Sequence, residues 1–214
     1  MLSKKISLRF ALVTSIALSI GSLGATEARA SENIPADSAI GRLNHAGFKS
    51  KSHCTSFIMV DGFLVTAAHC VPDISQDQVH VLLGYESGTP EQHLRTPAKS
   101  YRKMPQQDIA TLCDYADPSH GFALAQISLE KGMKVSVRGY GAPRVHALQE
   151  TRCVIASLSQ KSFVRLDCAL PPGTSGAPVT VENTRDIIGV VSASSSRGAL
   201  VSKLDIRALE RLCH

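Results

Sequence analysis

The sequence predicts an all-β protein, a sandwich or a pair of barrels, with one helix at its C-terminal end. Three observations support this. Short apolar and β-branched runs recur along the 214 residues with Gly, Pro and Asp between them, which is the spacing of strands. A helical period appears only after Asp205, where Ile206, Leu209 and Leu212 recur three apart behind an aspartate placed to cap the first turn. At 43% apolar, the chain can bury a substantial core, as one compact unit or two small lobes.

Residues 1–30 stand apart from that unit. Lys4, Lys5 and Arg9 form a basic start, Phe10 to Leu23 an apolar stretch, and Ala28-Arg29-Ala30 a small-residue cleavage site. The apolar stretch is too short, and too interrupted by Ser and Gly, for a good transmembrane span. It reads as a signal peptide cleaved after Ala30, giving a secreted or periplasmic protein. Cleavage removes four basic residues and one acidic, taking the formal charge from +5 to +2. No basic run survives that would suit nucleic acid or an anionic membrane surface.

Residues 31–37 are polar, interrupted by Pro35, and read as a short mobile lead-in. A first lobe over 38–120 opens with a strand from Ser38 to Leu43 and an exposed Lys/Ser loop. Phe57–Val60 and Phe63–Thr66 then flank Asp61-Gly62, a strong hairpin signature because both central residues of such a turn need positive φ. Val79 to Gly84 follows as a strand, Gln92 to Met104 as an irregular edge strand and loop, and Asp108 to Cys113 as a buried strand. Turn residues run from Asp114 to Gly121, and the lobe boundary is expected near residues 115–127. The second lobe, 121–214, holds strands at Lys134–Tyr140, Arg152–Leu158, Ser162–Asp167, Ala177–Val181, Ile187–Ala193 and Ala199–Lys203, before the helix.

All six cysteines lie beyond the cleavage site, and an even number in an oxidising compartment reads as three disulfides. Cys54 opens one strand of the hairpin and Cys70 follows His69, so a bond across the hairpin's far end would pin the histidine's backbone. Cys153 and Cys168 would close a second hairpin, which leaves Cys113 with Cys213. Six cysteines allow about fifteen pairings, and beyond Cys54–Cys70 the sequence does not resolve them. No Cys-x-x-Cys or paired His/Cys spacing points to a metal.

An imidazole anchored this firmly suits a general base. It then needs an orienting carboxylate and an activated serine, and both follow in the order His69, Asp108, Ser175. Asp108 opens an apolar strand, whereas Asp114 and Asp117 fall in turn sequence. Ser175 lies in Gly173-Thr174-Ser175-Gly176-Ala177-Pro178. Gly173 there permits a backbone that lets the Gly173 and Ser175 amides converge as an oxyanion hole. The other histidines (45, 53, 80, 93, 120, 146 and 214) have no comparable context.

Thr66-Ala67-Ala68-His69-Cys70, Asp108-Ile109-Ala110 and Gly173 to Pro178, in this order, resemble the chymotrypsin-like (trypsin-like) serine endopeptidases. The likeness runs from about Ser38 to Leu209 and is nearest to the bacterial branch that includes the glutamyl endopeptidases. It implies two antiparallel six-stranded β-barrels with the active site in the cleft between them. It also implies peptide hydrolysis through an acyl-enzyme without a cofactor, and supports the Cys54–Cys70 bond. Protein or peptide substrates and a monomeric state are expected. A catalytically silent binding protein on the same fold is the alternative, although such proteins usually lose the histidine or the serine.

Two positions depart from the family pattern. Thr174 stands where the digestive members carry the aspartate of their zymogen switch, and Ala177 stands where most carry glycine. By the same resemblance the specificity pocket has Ala169 at its base with Leu170 beside it. Its far wall is Val191-Ser192-Ala193-Ser194 and its rim Gly198-Ala199-Leu200. It holds no aspartate, and no histidine stands at Val191, so an uncharged pocket for a small or medium apolar side chain is expected. Substrate main chain would pair with Ser192 to Ser194 as an added strand.

Overall fold

Two sheets, each curled on itself and built almost wholly of antiparallel strands, account for most of the chain, and a single helix follows them. The computed structural model describes residues 32–45, 53–73, 78–115, 120–159 and 162–214. The signal-peptide reading of residues 1–30, the loop at 46–52 and Asp117 lie outside the described residues.

Strand β1 (Glu32–Asn33) belongs to the second sheet. The first sheet comprises β2 (Ile40–His45), β3 (His53–Ile58), β4 (Leu64–Ala67), β5 (Gln78–Leu83), β6 (Gln92–Pro97), β7 (Tyr101–Met104) and β8 (Ile109–Leu112). Its order is β6-β5-β2-β3-β4-β8-β7. The irregular stretch from Gln92 to Met104 is one edge segment bent by a helical turn at Ala98–Ser100. Because its halves, β6 and β7, lie at opposite ends of the order, that turn joins the two edges and closes the barrel.

The β3–β4 hairpin is wider than the two-residue turn that Asp61-Gly62 predicts. Ile58 pairs with Leu64, and only Gly62 takes a positive φ, 79°. The loop is three residues, 60–62: the Met59 amide donates to Phe63 O at 2.9 Å and the Gly62 amide to Met59 O at 3.0 Å, a short hairpin form that needs one left-handed residue. Met59 bridges Phe122, and the Val60 amide donates to Phe122 O at 3.1 Å, which draws the strand end toward the second half of the chain.

The second sheet comprises β9 (Ala123–Leu124), β10 (Lys134–Gly139), β11 (Gln149–Leu158), β12 (Phe163–Leu166), β13 (Pro178–Val181), β14 (Asp186–Ser195) and β15 (Gly198–Lys203). Its order is β1-β11-β10-β13-β14-β15-β12, and β12 returns to pair with β11, closing the second barrel. Its six longer strands are the expected set. The two-residue β1 and β9 are additions, β9 pairing parallel to β14.

The lead-in is not the mobile segment its polar sequence suggests. Glu32 and Asn33 pair with Glu150 and Gln149, the Ile34 amide donates to Leu148 O at 3.0 Å, and Arg185 meets Asp37 at 2.7 Å. Backbone pairing holds it, and backbone pairing leaves no hydrophobic pattern to read.

Helix α1 (Ile206–Cys213) starts where expected. The Asp205 carboxylate accepts from the Arg207 and Ala208 amides at 3.0 and 3.4 Å, a cap typically worth ~1 kcal/mol. Leu209 is fully buried beneath it. The disulfides are Cys54–Cys70, Cys153–Cys168 and Cys113–Cys213, the last tying α1 to the end of β8. One apolar core fills the first barrel and continues between the barrels through Phe122, Tyr140, Val190 and Leu209; a second fills the other barrel. Phe57 and Phe122 meet edge to face across that junction at 5.9 Å, adding roughly 0.5–1.5 kcal/mol beyond their buried area. Among the described residues no helix is long and apolar enough to cross a membrane.

Candidate active site

The β4 strand carries Thr66 and Ala67 into a single helical turn, Ala68–Cys70, with His69 at its centre. Two restraints hold that turn. Cys70 is bonded to Cys54 on β3, and the buried Thr66 hydroxyl donates to Thr55 O at 2.8 Å. The His69 side chain is 48% exposed, so the imidazole is anchored through its backbone while its ring stays half open.

Asp108 does not open the strand. It caps another helical turn, Pro105–Gln107, and takes a left-handed backbone (φ 51°), a conformation aspartate tolerates better than most residues. The strand begins one residue later. This kink lets one carboxylate meet three donors. Oδ1 accepts from the His69 amide at 3.0 Å; Oδ2 accepts from His69 Nδ1 at 2.8 Å and from Ser192 Oγ at 2.6 Å. Burial works against the charge on Asp108. The hydrogen bonds from the His69 ring, Ser192 and the His69 amide, with the attraction of His69, outweigh it and hold the carboxyl below its ordinary range. An ionised carboxylate only accepts, so the hydrogen of the ring bond sits on His69 Nδ1 and Nε2 is the ring nitrogen turned away from Asp108.

Ser192 reaches Asp108 from the other barrel. Sequence reasoning places it in the pocket wall and misses this bond, which joins residues 84 apart.

The Ser175 loop is fixed carbonyl by carbonyl. Pro172 O accepts from the Ala142 amide at 2.8 Å, Gly173 O from Thr55 Oγ1 at 3.0 Å, Thr174 O from the Ala177 amide at 2.9 Å, and Ser175 O from the Thr55 amide at 2.8 Å. In a trans peptide the N–H points opposite to the C=O. Anchoring the carbonyls of Pro172 and Thr174 therefore aims the amides of Gly173 and Ser175 the other way. Among the described residues neither amide has a protein acceptor.

Gly173 (φ 102°) is required here, since a Cβ would overlap the His53 ring and the Tyr140 carbonyl. Gly176 (φ 81°) lies against Thr55 O and Thr66 Oγ1, which seats the Ser175 turn on the strand leading to His69. No hydrogen bond joins the Ser175 hydroxyl to His69 among the described residues, and in unliganded sites this contact often tightens only with substrate. Thr174 is buried and its hydroxyl folds back onto Pro171 O at 2.7 Å, a local tie where a zymogen switch would need an acid. Ala177 packs into the second core.

The residues placed in the pocket by resemblance divide in two. Ala193, Ser194, Gly198 and Leu200 line one cavity of about 390 Å3 together with Ala199, Ser195, Arg165 and Arg197. Leu170 and Val191 are buried, and the Leu170 amide donates to Ser194 Oγ at 2.7 Å. Ala169 is exposed. Ala169, Leu170, Val191 and Ser192 do not line that cavity. Cys54, His69 and Cys70 bring ligand-type atoms together, but both sulfurs are committed to the disulfide.

The family model described as Trypsin matches residues 37–204. The chain belongs to the trypsin family. It is accordingly a serine endopeptidase, a hydrolase of peptide bonds. Solved structures share this trypsin fold at low sequence identity. The protease Anisep from Arthrobacter nicotinovorans is 16% identical with a TM-score of 0.65, over 84% of this chain and 96% of that one. The VesB protease of Vibrio cholerae is 21% identical with a TM-score of 0.64, over 81% of this chain and 63% of the longer relative. A Glu endopeptidase is 16% identical with a TM-score of 0.64, over 81% and 87%. No characterised protein sequence matches the chain.

Proposed function

We propose that this protein is a secreted or periplasmic trypsin-family endopeptidase working through Ser175, His69 and Asp108. His69 Nε2 takes the proton from Ser175 Oγ as the oxygen attacks the scissile carbonyl, and then returns it to the leaving amine. Asp108 holds the tautomer and balances the imidazolium formed during attack. The Gly173 and Ser175 amides receive the charge on the carbonyl oxygen; losing one such donor typically costs about 3–4 kcal/mol of barrier. Water then hydrolyses the acyl-enzyme.

The observation that carries this reading is the pair of uncommitted amides at Gly173 and Ser175, in a loop whose neighbouring carbonyls are all anchored. A small or medium apolar P1 side chain rests on the family resemblance, which puts Ala169 and Val191 in the pocket with no acid or histidine at either place; neither lines the cavity at Arg165 and Arg197. Val191 also separates the chain from the specificity of the glutamyl branch, which its motifs otherwise resemble. Export follows from the leader sequence and three disulfides.

The test is labelling of the mature, oxidised protein with a fluorophosphonate probe, beside Ser175→Ala and His69→Ala. Covalent labelling of the wild type alone is expected. A folded wild type that stays unlabelled, before and after trimming of residues 31–37, overturns the proposal.

A further inference from the structure

The ladder between β13 and β14 runs out beside the Ser175 loop. Pro178 pairs with Val190, and the Gly176 amide donates to Val191 O while the Val191 amide donates to Ala177 O. From Ser192 to Ser195, β14 keeps β15 on one side only, and among the described residues no strand occupies its other edge. A peptide added there would continue the sheet directly from Ser175, with alternate side chains falling on the outer face of β14 and β15.

That outer face has a definite chemistry. Ala193 is in register with Leu200, and Leu200 with Arg165, and all three are exposed. Arg165 leans toward the tip of the β14–β15 hairpin, where its guanidinium donates to Arg197 O at 2.9 Å. The cavity of about 390 Å3 is continuous from Ala193 and Ser194, at the open edge, to Arg165 and Arg197. Its floor is small or apolar, two arginines flank it, and no carboxylate lines it. Asp167, two residues beyond Arg165, has its carboxylate engaged by the Val154 amide at 2.7 Å, and among the described residues neither arginine is paired with an acid.

We propose that this cavity is a subsite for an acidic side chain, Asp or Glu, of the substrate segment preceding the scissile bond, with Arg165 and Arg197 as the specificity-determining residues. The proposal rests on the endopeptidase reading, because it uses the substrate strand laid beside Ser175. A guanidinium fork suits a carboxylate in geometry as well as charge, whereas an isosteric amide keeps the shape and loses the charge-assisted bonds. Both arginines are exposed, so the preference is screened by salt.

The test compares peptide substrates that carry Glu or Gln at each of the three positions before P1. At low salt, kcat/KM for Glu over Gln is expected to be about tenfold at one position, shrinking at high salt. In the double variant Arg165→Gln/Arg197→Gln that ratio falls to about one. Arg207→Gln on the helix leaves the ratio as in wild type. Fluorescence anisotropy of the same peptides on Ser175→Ala reads the subsite without turnover. A Glu/Gln ratio near one in an active wild type, with equal affinities on Ser175→Ala, overturns this proposal and leaves the endopeptidase standing. A wild type that neither labels nor hydrolyses overturns the endopeptidase reading, while the anisotropy still decides the subsite: equal affinities sink it, and tighter binding of Glu, lost in the arginine variants, upholds it.

Discussion

Thr55 is the residue whose loss tests the active-site architecture most sharply. Its side chain is fully buried, its hydroxyl accepts from the Tyr140 amide at 3.0 Å and donates to Gly173 O at 3.0 Å, and its amide holds Ser175 O. Thr55→Val keeps the shape and the amide, and removes only the hydroxyl. The buried Tyr140 N–H and the half-buried Gly173 C=O then lose that partner. At roughly 1–3 kcal/mol for the buried Tyr140 N–H, and less for a carbonyl that water can reach, the stability loss is about 1–4 kcal/mol.

The catalytic effect is separate. With Gly173 O released, the peptide following the oxyanion donor is free to turn. The ceiling is the complete loss of one donor, about 10²–10³ in kcat, and partial disorder is expected to cost ~10–100-fold with KM little changed. The assay is steady-state hydrolysis of a peptide substrate at a temperature where circular dichroism reports both proteins folded. Thr55→Ser, which restores the hydroxyl, should recover most of kcat. A folded Thr55→Val enzyme with kcat within about twofold of wild type would falsify the claim that Thr55 positions the loop.

Asp108→Asn is expected to lower kcat by about 10⁴-fold, because an amide can hold His69 in the wrong tautomer; turnover within about tenfold of wild type sinks the assigned role. Ser192→Ala removes one of three bonds to the Asp108 carboxylate and has a pH signature. The folded carboxyl sits below its unfolded value, so its contribution to stability is present above about pH 4 and is lost as pH falls through the folded value. Ser192→Ala should therefore unfold more easily in urea at neutral pH, with the deficit closing in strong acid; a deficit independent of pH would point to packing instead. Replacing Cys113 and Cys213 with serine is expected to cost roughly 4–5 kcal/mol in the chain-entropy picture for a loop of this length, read as a lower Tm. An unchanged Tm would mean that the junction core alone holds the helix in place.

The parts of the fold that were legible in sequence are those written in local pattern. The β3–β4 and β11–β12 strands, the capped helix and the His69 and Ser175 motifs each occupy a few contiguous residues. The missed features are contacts across long separations. Thr55 meets Gly173 across 118 residues and Ser192 meets Asp108 across 84, and neither partner carries a mark of the other in its own neighbourhood. Arg165 and Arg197 converge because β12 and β15 are adjacent, which strand order decides and side-chain alternation does not. The Asp61-Gly62 pair misled for a different reason, since the same residues also suit the three-residue loop that Met59 and Phe63 close.

The Cys113–Cys213 bond has a consequence for how the protein is made. Chains are synthesised from the N-terminus, and early units fold while later ones are still being added. The first barrel carries three cysteines, and Cys54 and Cys70 satisfy each other within it. Cys113 is left with a bare thiol for a further 100 residues of synthesis, until its partner on the final helix arrives. A half-made chain therefore advertises its incompleteness through one reactive sulfur, open to an oxidoreductase or a wrong partner. The covalent tie from the first barrel to the final helix can close only on a chain whose second barrel, Ser175 included, has already been made.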